Sequence, residues 1–265
     1  MKCCVIPPKK HLDLAHAGDW YFCLAQLYYK DKQYRDFFKS IRRTNHNAHI
    51  ILDNGAAERD QIDDNILLDI VDDLRPDEVV APDTLYDGYD TLLRTHDFIN
   101  KIKKRKSYYT TGIIGCPQGS TVEEWISCYK EMLNISAISV IGLSKISIPY
   151  CWMKAKHDVA IAESRNRCID LLIRKNLIKK DLHFLGMGDP AEFEYYKTLK
   201  YGYKAYFRST DSCYTILAAY HNIDFHKEFE RVETDNSYFD IELTDNQIKL
   251  ALKNIWYLKK ILREV

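Results

Sequence analysis

Six short junctions along the chain carry residue types able to do nucleophilic and acid/base chemistry. They are Asp53-Asn54-Gly55-Ala56, Pro82-Asp83-Thr84, Cys116-Pro117-Gln118-Gly119, Gly142-Leu143-Ser144, Gly186-Met187-Gly188-Asp189-Pro190 and Ser209-Thr210-Asp211-Ser212. Each follows an apolar run and brings a carboxylate, an amide or a glycine. Two carboxylates facing one pocket can divide the nucleophile and acid/base roles at an anomeric carbon, where negative charge stabilises an oxocarbenium-like transition state. A third carboxylate beside a glutamine amide can read the edge of a guanine-like base. Glycines let such a base lie against the backbone, because no Cβ intervenes. Asp53, Asp83, Asp211 and Gln118 together therefore suit cleavage or exchange of an N-glycosidic bond. A single aspartate after a strand is commonly a helix cap, and for Asp189 or Asp211 alone that reading is the stronger one. Six junctions in order are harder to explain as caps.

These groups need a scaffold that delivers strand ends to one place. Short β-branched or apolar runs alternate with segments of helical period, the pattern of a parallel sheet covered by helices. Seven strands are expected at residues 3–7, 49–53, 78–82, 110–116, 137–143, 182–187 and 204–209. An eighth at 20–26, WYFCLAQ, has spacing that suits a helix equally. Helices are expected over 60–74, 89–104, 121–133, 157–176 and 190–200, with Ser120-Thr121-Val122-Glu123-Glu124 reading as a helix start. Eight strands in 265 residues fit a single-domain (β/α)₈ TIM barrel, whose reactive groups sit at the carboxyl ends of the strands. An open doubly wound sheet gives a similar alternation. No low-complexity tract or repeat breaks the rhythm. The end of the chain, 240–265, reads as a helix packed on the barrel, preceded by an irregular excursion at 221–243.

Lys plus Arg equals Asp plus Glu, 38 against 38, so the overall field attracts neither nucleic acid nor membrane, and any polyanion must meet a local patch. The basic runs at 101–106 and 253–264 read first as solvated helix faces. No run of about 18 apolar residues and no secretion-type leader appear, which predicts a cytoplasmic protein with no membrane partner. The eight cysteines, at 3, 4, 23, 116, 128, 151, 168 and 213, lack the close pairing of a zinc site. No metal and no cofactor is expected.

In order and spacing, the junctions resemble the tRNA-guanine transglycosylase family, including the phage and bacterial branch that places 7-deazaguanines in DNA. The likeness runs from about residue 48 to residue 216. ILDNGAAE resembles the family's Asp-Ser-Gly-Gly loop, which would make Asp53 the general acid/base. VVAPDTLYD resembles its base-reading loop at Asp83, IIGCPQGS its Val-Gln-Gly at Gln118, and VIGLS its Gly-Gly-Leu at Gly142 and Leu143. HFLGMGDP looks like its Leu-Gly-x-Gly-x-Pro turn, and FRSTDS aligns Asp211 with the nucleophile.

Departures matter as much. The family's tRNA enzymes hold zinc with a Cys-x-Cys-x-x-Cys group and a histidine after the last strands, whereas no cysteine follows Cys213 here. The resemblance therefore implies a zinc-free glycosyltransferase with nucleic acid and a free 7-deazaguanine, such as the 7-cyano form, as partners. DNA is preferred as substrate; tRNA, nucleoside or nucleotide is the alternative. Asn54, Ala56, Thr84 and Leu85 replace the family's usual residues, and no stacking aromatic is evident in the first loop. Tyr86 and Tyr89 are the nearest candidates for stacking, against a packing reading. A reading of another class is a catalytically silent barrel acting as a binding subunit. Three carboxylates gathered in one mouth oppose it, because like charges held together are costly. Nothing in the composition opposes a homodimer.

Overall fold

The computed structural model describes residues 1–57, 60–154, 161–186, 189–227 and 236–265. Eight parallel strands close into a barrel in chain order: β1 Lys2–Val5, β2 Trp20–Leu24, β3 Ile50–Asp53, β4 Glu78–Val80, β5 Gly112–Gly115, β6 Ile138–Leu143, β7 Asp181–Phe184 and β8 Phe207–Ser212. β8 returns to pair with β1 over Lys2↔Ser209 through Val5↔Ser212, so the sheet has no free edge. Helices on the outside include Lys32–Thr44, Asp64–Leu74, Gly88–Ile102, Val122–Asn134, Ile161–Arg174, Pro190–Lys197 and Asp245–Leu262. The single-domain (β/α)₈ fold expected from the alternation is the fold found.

The expected strand bounds shift by up to three residues, as where 182–187 becomes Asp181–Phe184 and 110–116 becomes Gly112–Gly115, and two strands differ in instructive ways. Residues 20–26 are part strand and part helix: β2 ends at Leu24, and Ala25–Lys30 is already helical. The mixed periodicity of WYFCLAQ thus comes from a real change of structure inside the run. β8 starts three residues later than the apolar pattern implies, because Tyr201–Lys204 closes as a helical turn, with Ala205 N–H donating to Tyr201 C=O at 3.1 Å. Its pairing with β7 then slips by one residue between Leu182 and His183. Its pairing with β1, Cys4↔Asp211 and Val5↔Ser212, makes Asp211 a strand residue, not a residue beyond a strand.

The helix starts follow their side-chain chemistry. Thr121 caps Val122–Asn134 by accepting from Glu124 N–H, Asp63 caps Asp64–Leu74, and Thr244 with Gln247 forms a reciprocal capping box for the last helix. That last helix is belted to the barrel. Asn254, fully buried, accepts from Phe225 N–H at 3.0 Å and donates to Ile223 C=O at 3.0 Å. At the other end, the Met1 ammonium donates to Leu262 C=O at 2.9 Å. Within the irregular 221–243 segment, residues 228–235 lie outside the described part; Asn236–Asp240 forms a 3₁₀ turn. No helix among the described residues is long and apolar enough to cross a membrane.

Candidate active site

Asp53 is the last residue of β3, Asp211 the penultimate residue of β8, and Asp83 lies three residues beyond β4. All three line one cavity of about 120 Å³ at the carboxyl ends of the strands, together with Asn54, Gln118, Ser144, Lys145 and Gly186. Its apolar wall includes Phe22, Leu24, Tyr238 and Phe239. In an α/β barrel this mouth is where eight loops converge, so residues far apart in sequence meet there.

Asp83 is 3% exposed and is held by two amides. Asn54 Nδ2 donates to its Oδ1 at 2.6 Å and to Ala81 C=O at 2.8 Å, while Gln118 Nε2 donates to its Oδ2. Arg94 and Gln61 brace the backbone of the same residue, donating to Asp83 C=O at 3.0 and 3.1 Å. Burial pushes the Asp83 carboxyl up to about 6, against the pull of the two amide donors. Asn54, which stands where the resembled loop has a serine, thus ties the loop after β3 to the loop after β4. Gly55 follows at φ +79°, where a side chain would also meet Gln26 Oε1 at 2.7 Å, and its N–H donates to Asp53 Oδ2 at 3.0 Å.

Asp211 is surrounded by donors. Gly186 N–H reaches its two oxygens at 3.1 and 3.0 Å, and His183 Nε2 lies 3.0 Å from Oδ1. His183 is fully buried and stacks on Phe22 with rings 5.7 Å apart and nearly parallel; its Nδ1 faces Ser209 Oγ at 2.8 Å. A carboxylate oxygen accepts, so His183 Nε2 is the donor to Asp211. Ser209, His183 and Asp211 match a hydrolytic triad by residue type, but Ser209 is fully buried and does not line the cavity. Of the three, the Asp211 carboxylate is the group that lines the cavity.

Gly186 is favoured by its backbone conformation. Its φ is +64°, and a Cβ there would fall 2.2 Å from Lys145 Cδ. Gly186→Ala should lower stability by about 1–2 kcal/mol, the usual cost of forcing an L-residue into the left-handed region, and so depress the melting temperature by several degrees. An unchanged melting temperature by calorimetry would remove the glycine requirement.

A buried ion pair supports this corner. Arg165 and Glu192 are both fully buried, with Arg165 Nε 2.8 Å from Glu192 Oε1; Arg165 Nη1 also donates to Leu143 C=O at 3.1 Å and Leu185 C=O at 2.7 Å. The guanidinium therefore clamps the end of β6 to the residue preceding Gly186. Burial raises the Glu192 carboxyl while Arg165 pulls it down.

Of the expected base-binding residues, Asp83 and Gln118 meet in the cavity. Gly142 and Leu143 sit beside it, outside its lining: the missing side chain of Gly142 leaves room for Leu185 and Ile114, and Leu143 is core. Ser144 and Lys145 of the same loop line the cavity in their place. Asp189 is a helix cap, accepting from Ala191 N–H at 2.8 Å; Asp211 is not. Tyr86 packs on Tyr150 with ring centroids 4.4 Å apart, Tyr89 is exposed, and neither lines the cavity. Met187 and Gly188 of the Leu-Gly-x-Gly-x-Pro-like turn lie outside the described residues. His183, Lys145 and Phe239 were not marked by the junction pattern. For His183 a signal existed, since strand alternation places it on the same face as Leu185.

Burial drives the Cys116 thiol well above its ordinary value, so this cavity cysteine is a neutral thiol and a poor nucleophile. Among the described residues no group of three or more His, Cys, Asp or Glu side chains is placed to hold a metal ion. Fold and mouth together define a (β/α)₈ barrel with three carboxylates in a single strand-end cavity. No family model and no curated protein matches the chain.

Proposed function

We propose that the protein is a base-exchange enzyme of the guanine transglycosylase type, cleaving the N-glycosidic bond of guanine in DNA and inserting a 7-deazaguanine such as 7-cyano-7-deazaguanine. The observation that carries this reading is the convergence of Asp53, Asp83 and Asp211 on one cavity, with Asp211 oriented by Gly186 N–H and His183. Asp211 would attack the anomeric carbon, forming a glycosyl ester as the bond to the base breaks. Asp53 would protonate the departing base. In the second half, Asp53 takes a proton from the incoming base, which displaces Asp211. Asp83 and Gln118 would hold the base by its edge, the carboxylate accepting from ring and exocyclic N–H groups.

The preference for DNA rests on the absence of cysteines after Cys213, the region where the resembled tRNA enzymes hold zinc. Incubation with labelled guanine and either duplex DNA or tRNA tests it. Label entering DNA is expected; label entering tRNA alone reverses the substrate, and label entering neither counts against base exchange.

The raised Asp83 carboxyl has a consequence for pH. The ionised form is the better acceptor for a guanine edge, so guanine binding should strengthen as pH rises through about 6. Stability moves the other way. A carboxyl raised from 3.8 to about 6 by burial favours the fold fully below about pH 4, and that contribution is lost as pH rises through 6. Equilibrium binding at pH 5 and pH 7 checks the first statement: the parent should bind more tightly at pH 7, and Asp83→Asn should bind weakly with little pH dependence. Equal parent affinity at the two pH values would exclude Asp83 from recognition.

A further inference from the structure

Edge contacts alone leave the face of a planar base unaccounted for, and a base held in a protein pocket is ordinarily stacked on a flat side chain. The loop after β3 offers none, since it lines the cavity with Ala56 and Ala57. Four rings line the cavity: Phe22, Tyr214, Tyr238 and Phe239. Phe22 is 2% exposed and already stacked on His183. Tyr238 is also 2% exposed, with its hydroxyl donating to Ile6 C=O at 2.5 Å. Tyr214 is buried in a small cluster with Ala218, Ile223 and Phe225. Phe239 is the ring in the lining that is only partly buried.

Phe239 is also held in place. The strap 236–243 that carries it is pinned across the mouth to the segment after β1. Beyond the Tyr238 hydroxyl bond, Lys9 pairs with Asp240 at 2.6 Å and Lys10 with Glu242 at 2.5 Å, and Leu243 N–H donates to His11 Nε2 at 2.8 Å. Tyr238 lies edge-on to Phe239 with centroids 5.4 Å apart. The pinning fixes the ring before any ligand arrives, which lowers the ordering cost of binding.

We propose that Phe239 is the stacking surface for the base that Asp83 and Gln118 hold by its edge, so that the strap after the eighth strand completes the recognition site. This rests on the base-exchange reading above. Stacking is tolerant of base identity, whereas edge contacts are selective, so Phe239 sets affinity for planar bases in general and Asp83 sets the preference for guanine-like edges.

Equilibrium dialysis of the full chain with labelled guanine separates these roles, using Phe239→Ala, Phe239→Leu, Phe239→Trp and Asp83→Ala. Phe239→Ala and Phe239→Leu should bind guanine about 10- to 100-fold more weakly, the range for loss of one stacked aromatic, while melting like the parent. Phe239→Trp should retain binding and show guanine-dependent quenching of tryptophan fluorescence beyond that of the parent. Parent-like affinity in Phe239→Ala, or no added quenching in Phe239→Trp, overturns the proposal. If Phe239→Ala loses affinity and Asp83→Ala does not, the stacking surface stands and the edge reading fails; the opposite result removes only the stacking surface. A parent that binds no guanine overturns both.

Discussion

Asp211→Asn should abolish base exchange, with kcat falling at least about 10⁴-fold, while the folded protein persists. A neutral amide cannot attack an anomeric carbon or hold a glycosyl ester, and loss of a nucleophile removes a step that its neighbours cannot replace. The fold tolerates the change for a specific reason. The asparagine carbonyl can still accept from Gly186 N–H, and its amide can donate to His183 Nε2, which then shifts its proton to Nδ1 and donates to Ser209 Oγ. Thermal melting and labelled-base exchange of parent and variant check this together. Normal melting with full exchange would remove Asp211 from the mechanism. Asp53→Asn should instead slow exchange by about 10²- to 10⁴-fold, the usual contribution of a positioned acid/base group.

A second large effect is expected at Arg165, which holds the backbone carbonyls of Leu143 and Leu185 beside the cavity. Arg165→Met leaves Glu192 fully buried without its cation, and breaking such a pair typically costs about 3–5 kcal/mol. For a domain of this size the melting temperature should drop by about 10 °C or more. Adding Glu192→Leu should recover much of that loss, because a buried ion pair can be replaced by apolar groups at little net cost. Activity should not recover with it, since Leu143 and Leu185 C=O lose the guanidinium that fixes the turn at Gly186. A single variant that melts like the parent would contradict the role given to the pair.

How much of this was legible in the chain depends on distance along it. The barrel was readable because each βα unit is local: the apolar runs and the caps at Thr121 and Thr244 carry their own signals. Asp53, Asp83, Gln118 and Asp211 were readable as candidates because a barrel turns every strand end toward one mouth. The start of β8 was misplaced because Tyr203-Lys204-Ala205-Tyr206 has apolar spacing that a strand or a turn satisfies equally, and pairing with β1 decides between them. Gly142 and Leu143 read as base contacts, yet Gly142 makes room for Leu185 and the Leu143 carbonyl answers to Arg165, a partner set by tertiary packing. The strap was hidden for the same reason. The Tyr238 hydroxyl reaches the carbonyl of Ile6 across 232 residues of sequence, and no local pattern announces such a contact.

In the proposed mechanism Asp211 would form a covalent glycosyl ester with the sugar of a nucleic acid. Intact-protein and peptide mass spectrometry, after mixing the full chain with a guanine-containing DNA duplex in the absence of free base and quenching in denaturant, reads that bond directly. The expected result is an adduct of protein with DNA, released guanine in equal amount, and attachment on the peptide that contains Asp211, all absent in Asp211→Asn. Base exchange proceeding without any adduct, or an adduct that persists in Asp211→Asn, would contradict it.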